Sequence, residues 1–162
     1  MVIFGIDPGL IGACAGIKFN KNKVINYGVF DFIKNNYDEL DPVDLLEKMN
    51  FSLKDNKGGE FHCFIEHAQA MPGNGVTGMF NYGVGYGIIL ATLTIGEIEY
   101  TKIRPAKWKK YFGLIKKPKL ASVELAEKLF PDAELRGPRG GLKDGRAEAL
   151  LIAEYGRLHF AD

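Results

Sequence analysis

Cysteine is scarce in this chain of 162 residues: Cys14 and Cys63 are the only two, each in an apolar stretch and without a C-x-x-C spacing. Neither a disulfide scaffold nor a zinc site can be built from them, and they read as buried free thiols. No uninterrupted apolar run approaches the roughly 18–20 residues that cross a bilayer, and the N-terminus enters a strand-like pattern without a charged leader. A soluble, cytoplasmic protein with no membrane contact is therefore expected. Internal repeats and linker-like stretches are absent too, so residues 1–162 read as one domain. The glycines at Gly73, Gly75, Gly83, Gly85 and Gly87 fit neither a P-loop nor a G-x-G-x-x-G between strand and helix, which removes the phosphate-loop readings. No Ser/His/Asp or Cys/His set offers a protein nucleophile.

What is present is the profile of a globular protein, 46% hydrophobic and 25% charged, with 20 glycines. That glycine content exceeds the usual frequency of about 7%. The net charge of +1 hides a strong asymmetry: residues 1–100 carry −5, residues 101–143 carry +8 and residues 144–162 carry −2. A basic block of that size can hold a polyanion, although solvated helix faces have the same composition.

Apolar runs bounded by turn residues predict strands at 2–6, 12–19, 24–30, 61–65 and 98–103. Helical spacing and capping residues predict helices from Pro42 to Asp55, over 76–93, from Pro105 through Phe112, from Pro118 to Phe130 and from Asp144 to about Phe160. The order implies an α/β fold, a mixed five-stranded sheet flanked by helices. Glycines inside the 76–93 helix each cost roughly 1 kcal/mol against Ala. Close packing against the sheet or against a twin subunit is the expected reason for them.

Four acids carry the chemistry. Asp7 follows Ile3-Phe4-Gly5-Ile6 and Glu66 follows Phe61-His62-Cys63-Phe64-Ile65, so each leaves the end of a buried strand, where an ionised carboxylate needs a cation, hydrogen bonds or a metal. Turn capping by Asp7 is the plainer alternative. Asp144 and Glu148 stand at i and i+4, on one helical face, and repel each other unless a cation lies between them. A role for Asp144 as a first-turn helix acid is the alternative there. Together the four would make a hard oxygen site for two Mg²⁺ ions, with Mn²⁺ as substitute, suited to phosphodiester hydrolysis. His62 and His67 point to opposite faces and are assigned to core or surface.

Gly5-Ile6-Asp7-Pro8-Gly9, Ile65-Glu66 with the Ala-Met-Pro-Gly stretch after it, Arg104-Pro105 with Trp108-Lys109-Lys110, and Lys143-Asp144-Gly145-Arg146-Ala147-Glu148-Ala149-Leu150 resemble the RuvC Holliday-junction resolvases, most closely their phage-encoded branch. The resemblance spans nearly the whole chain. It implies an RNase H-like fold, a homodimer, two Mg²⁺ ions per subunit and paired nicks across a four-way DNA junction in the host cytoplasm. Asp7 and Glu66 match the family's first two acids. The third motif departs: bacterial members carry two aspartates three residues apart, whereas the residue three before Glu148 is Gly145 and the earlier acid is Asp144. Beside such a site the basic block becomes a phosphate cradle, with Lys102, Lys109, Lys110, Lys116, Lys117, Lys119, Arg136, Arg139 and Lys143 as the candidates. Met71, Phe80 and Tyr82 are candidates to wedge or stack at the crossover, with a core or interface role as the alternative. The rival readings are another RNase H-like nuclease, acting on hybrids or ends, and a catalytically silent junction-binding module; a half related to the actin-like ATPases lacks its second phosphate loop.

Overall fold

Three consecutive runs pair as an antiparallel meander, β1 (Val2–Asp7), β2 (Ala13–Asn20) and β3 (Lys23–Asp31). The computed structural model describes residues 1–9, 11–53, 59–67, 69, 73 and 75–160. α1 (Pro42–Leu53) starts where Asp41 Oδ1 accepts hydrogen bonds from the N–H groups of Val43 (2.9 Å) and Asp44 (3.1 Å), with proline at the first helical position, where no donor is lost. Its predicted extension to Asp55 falls outside the described residues. β4 (Phe61–Glu66) pairs parallel to β1, and β5 (Tyr100–Ile103) pairs parallel to β4. Between them runs α2 (Val76–Ile95); α3 (Pro105–Tyr111), α4 (Lys119–Leu129) and α5 (Asp144–His159) complete the chain. The sheet order β3-β2-β1-β4-β5 puts β1 in the middle and matches the expected mixed five-stranded sheet with helices around it.

Alternation along the strands divides the core in two. Val2, Phe4, Ile6, Cys63 and Ile65 face α1 and α2, where they meet Leu45, Met49, Ile89 and Leu93. Both cysteines are buried free thiols. On the other face Ile3, Phe64 and Ile103 pack with Trp108 of α3, Val123 and Ala126 of α4, and the buried length of α5.

α5 lies directly on β1 because Gly5 has no side chain. A Cβ at Gly5 would stand 2.2 Å from the Ala149 carbonyl oxygen and 2.3 Å from the Ala153 nitrogen, inside the helix backbone itself. A second close approach is made at Gly145, where a Cβ would meet the Ile11 carbonyl oxygen at 2.2 Å. These two contacts fix where the N-terminal turn of α5 stands above the end of β1.

α2 departs from expectation twice. Its 20 residues are long and apolar enough to cross a membrane by length and composition, with a mean hydropathy of 1.3, although no uninterrupted run signals it. Glycine, threonine and Asn81 break the run without adding charge. The glycines also do not serve packing against the sheet: positions 78, 83, 85 and 87 face open space. Only Ile89, Thr92 and Leu93, near the C-terminal end, are buried.

Gly5→Ala is expected to lower the unfolding free energy by about 3 kcal/mol or more, since overpacking against backbone has no soft neighbour to yield. Gly28→Ala on exposed β3, where a Cβ meets nothing within 4 Å, should change it by less than about 0.5 kcal/mol. Urea unfolding of the two variants checks this.

Candidate active site

Strand register makes the first pair of the site. Ile6 lies opposite Ile65 in the parallel β1/β4 ladder, so Asp7 and Glu66, each the next residue, end adjacent central strands side by side. Period-two alternation turns both toward the α5 face, the side of Ile3 and Phe64. The first turns of α5 then deliver Asp144 and Glu148 from above, and all four carboxylates line one open cleft of about 480 Å³.

Their electrostatics differ. Asp7 accepts only the Gly9 N–H, at 3.3 Å, and no cation pairs with it among the described residues. Burial, then the negative charges of Glu148 and Glu66, push its carboxyl up to about 7. Burial also raises Glu66, opposed by a hydrogen bond from the Trp108 indole N–H to Glu66 Oε2 at 2.8 Å. The other two acids are held by lysines: the Lys119 ammonium pairs with Asp144, and Lys109 reaches Glu148 at 3.1 Å. The Asp144 hydrogen bond in turn raises Lys119.

The four acids therefore share a cleft without converging on one point. Among the described residues no three acidic, histidine or cysteine side chains stand close enough together to ligate a single ion. Asp7 and Glu66 are nonetheless hard oxygen donors, half-buried and with no ion-pair partner among the described residues, and that donor set fits Mg²⁺ or Mn²⁺. The position of the third acid also has a steric reason. A side chain at Gly145 would meet the Ile11 carbonyl at 2.2 Å and approach Asp7 Oδ2 at 3.4 Å, so position 145 has no room for an acid, whereas Asp144 lines the cleft.

Of the basic candidates, Lys109, Lys116, Lys117 and Lys119 line the cleft. Lys110 is exposed on α3, Arg139 is exposed in the loop before α5, and Lys102 on β5 holds its ammonium 5.8 Å from the centre of the Tyr86 ring. Arg136 is engaged elsewhere, bidentate on Glu127 at 2.6 and 3.0 Å, and Lys143 pairs with Asp31 at 3.0 Å. Tyr82 is half-buried in the cleft wall, its hydroxyl pushed up to about 12 by burial and by Glu66 and Asp7, whereas Phe80 is exposed near the start of α2. Met71 lies outside the described residues. His62 sits away from the cleft, between Phe64 and Phe160, and bonds Thr101 Oγ1 at 2.9 Å.

Two supporting roles escaped the sequence reading, that of Asp31 and that of Trp108, which entered it only as part of a motif. Asp31, at the end of β3, takes a bidentate pair from Arg146 at 2.6 and 2.8 Å and so ties the first turn of α5 to the sheet. Its partner lies 115 residues away, and no local pattern announces it. Trp108 is the only tryptophan of the chain, a signal that was available.

No family model matches the chain, and no curated protein matches it in sequence. Solved structures do. Thermus thermophilus RuvC superposes with a TM-score of 0.54 at 16% identity, covering 98% of this chain and 96% of that one. T. thermophilus RuvC in complex with a Holliday junction substrate superposes with a TM-score of 0.60, again at 16% identity, over 98% of this chain and 97% of that one. The chain has the RNase H-like fold of RuvC. Its order of strands, the central place of β1 and the helix laid on it thus belong to that fold, and sequence identity this low carries nothing further.

Because Asp7 holds its proton more tightly folded than unfolded, the folded state binds more protons between about pH 4 and pH 7 and loses stability as pH rises through that window. In metal-free buffer Asp7→Asn is expected to raise the unfolding free energy at pH 8 by a few kcal/mol, on the order of 1.4 kcal/mol per pKa unit. At pH 4 the gain should nearly vanish. Denaturant unfolding at the two pH values measures the difference.

Proposed function

We propose that this chain is a Mg²⁺-dependent, structure-selective endonuclease of the RuvC kind, phage-encoded and acting in the host cytoplasm, that resolves four-way junctions and other branched DNA by paired nicks. The observation that carries this reading is the cleft itself: a half-buried carboxylate pair with no ion-pair partner among the described residues, at the ends of central strands, rimmed by exposed lysines. The similarity in fold to a RuvC that was solved on a Holliday junction substrate supports the choice of DNA.

Asp7, Glu66, Asp144 and Glu148 would hold the cations, with Asp7 and Glu66 as the fixed pair. Bound Mg²⁺ would supply a Lewis acid for the scissile phosphodiester and a water of lowered pKa as nucleophile, ending in 5′-phosphate and 3′-hydroxyl products. Lys109 and Lys119 keep Glu148 and Asp144 neutralised in the free protein and turn to phosphate oxygens when DNA fills the cleft. Lys116 and Lys117, exposed on the rim, bind flanking phosphates, and Lys102, Lys110 and Arg139 extend that contact outward. Tyr82, in the cleft wall, would stack on unpaired bases, and Phe80, exposed on another side of the same helix, would do so outside the cleft. A homodimer suits paired nicking, and Gly83 and Gly87, exposed one turn apart on α2, would let a twin backbone approach closely.

The test is a synthetic four-way junction labelled on each strand, incubated with Mg²⁺ and with EDTA, and read at nucleotide resolution. Symmetric internal nicks that need Mg²⁺ are the expected outcome. Asp7→Asn should bind the junction nearly as well as the native chain, since phosphate contacts remain. Its cleavage should fall at least about 100-fold, because even outer partners of metal ligands cost about 10–100-fold. Nicking in EDTA, or normal cutting by Asp7→Asn, would refute the reading; cleavage of RNA/DNA hybrid alone would favour another nuclease of the same fold.

A further inference from the structure

We propose that Trp108 is a positioning residue for Glu66: its indole N–H fixes the carboxylate from behind, so that the cleft meets a cation with one ligand already oriented. This rests on the cation-binding reading of the cleft given above.

Trp108 is fully buried, and its Nε1–H donates to Glu66 Oε2 at 2.8 Å. An indole N–H is a donor only, so the bond cannot reverse, and a buried donor of this kind needs its acceptor as much as the acceptor needs it. Oε1 takes no hydrogen bond among the described residues. One oxygen is thus committed to the protein interior and one is left for a ligand.

The backbone makes this rigid. Glu66 lies opposite Ile103 in the β4/β5 ladder, and the His67 N–H donates to the Ile103 carbonyl at 2.8 Å, so both ends of the bond hang from the same strand pair. Pro105 opens α3 two residues later and carries Trp108 back over Glu66 within its first turn. The next residue, Lys109, holds Glu148 at 3.1 Å with its ammonium 4.9 Å from the centre of the Trp108 ring. One turn of α3 therefore controls acids that come from two different elements. A free glutamate would have to order its side chain on binding, and the indole bond removes that step in advance.

Two variants of the full chain test this against simple core packing. Trp108→Phe removes the donor and some volume; replacement of Trp108 by 3-benzothienylalanine keeps the shape and removes only the N–H. Calorimetric titration with Mn²⁺ should show about 10- to 100-fold weaker binding in both, with far-UV circular dichroism unchanged. In the native chain Mn²⁺ should quench the fluorescence of this sole tryptophan with the same midpoint as the calorimetry. If Trp108→Phe does not fold, the benzothienyl variant decides. Native affinity in a folded variant that lacks the donor overturns the proposal and leaves the cleft reading intact. A native chain that binds no Mn²⁺ overturns both.

Discussion

The backbone contact between α5 and β1 is the constraint on which the site depends. Gly5 lets the helix backbone touch the strand, and Gly145 lets the helix N-terminus close on the loop after Asp7. With either position filled, α5 would ride outward, and Asp144 and Glu148 with it. The two glycines thus act on chemistry through distance, without touching any substrate. Asp31 adds a lateral tie, gripping Arg146 and Lys143 from the end of β3 so that the helix start is held from the side as well as from below.

That closeness has an electrostatic consequence. Four acids share one cleft, and the protein balances only two of them, by lending Lys119 to Asp144 and Lys109 to Glu148. Asp7 and Glu66 have no such partner among the described residues, and both titrate upward, chiefly because the cleft desolvates them and further because of the neighbouring acids. A divalent cation would remove the imbalance that the lysines leave. The free protein is thus partly compensated by flexible ammonium groups, which leave far more easily than a buried side chain would. Trp108 contributes no charge at all and acts on direction instead, holding Glu66 in the orientation that the ladder and α3 jointly impose.

Much of this is legible in the sequence. Continuous apolar runs ending in an acid identified β1 and β4 together with their exits, because a buried strand has little reason to end in glutamate. The helix starts were legible from Asp41-Pro42 and Arg104-Pro105. What could not be read was pairing across distance. Asp31 with Arg146, Trp108 with Glu66 and Arg136 with Glu127 all depend on tertiary placement, and a charged residue carries no mark of whom it will meet. The same gap explains why the basic block resolved unevenly: Lys116 and Lys117 reached the cleft, while Arg136 and Lys143 were taken by nearby acids. The α2 glycines were misread in part, because composition shows that bulk is missing without showing which surface needs the room.

The most direct measurement is the unfolding free energy at pH 8 as a function of Mg²⁺ concentration, in the native chain and in the Asp7→Asn, Glu66→Gln double variant. A cleft that needs a cation predicts native stability rising with the logarithm of Mg²⁺ once the sites begin to fill, by about 2.7 kcal/mol at 100 times the dissociation constant, and a flat line for the variant. A native chain whose stability ignores Mg²⁺, or a variant that gains as much as the native chain, would contradict the assignment of these carboxylates as cation ligands.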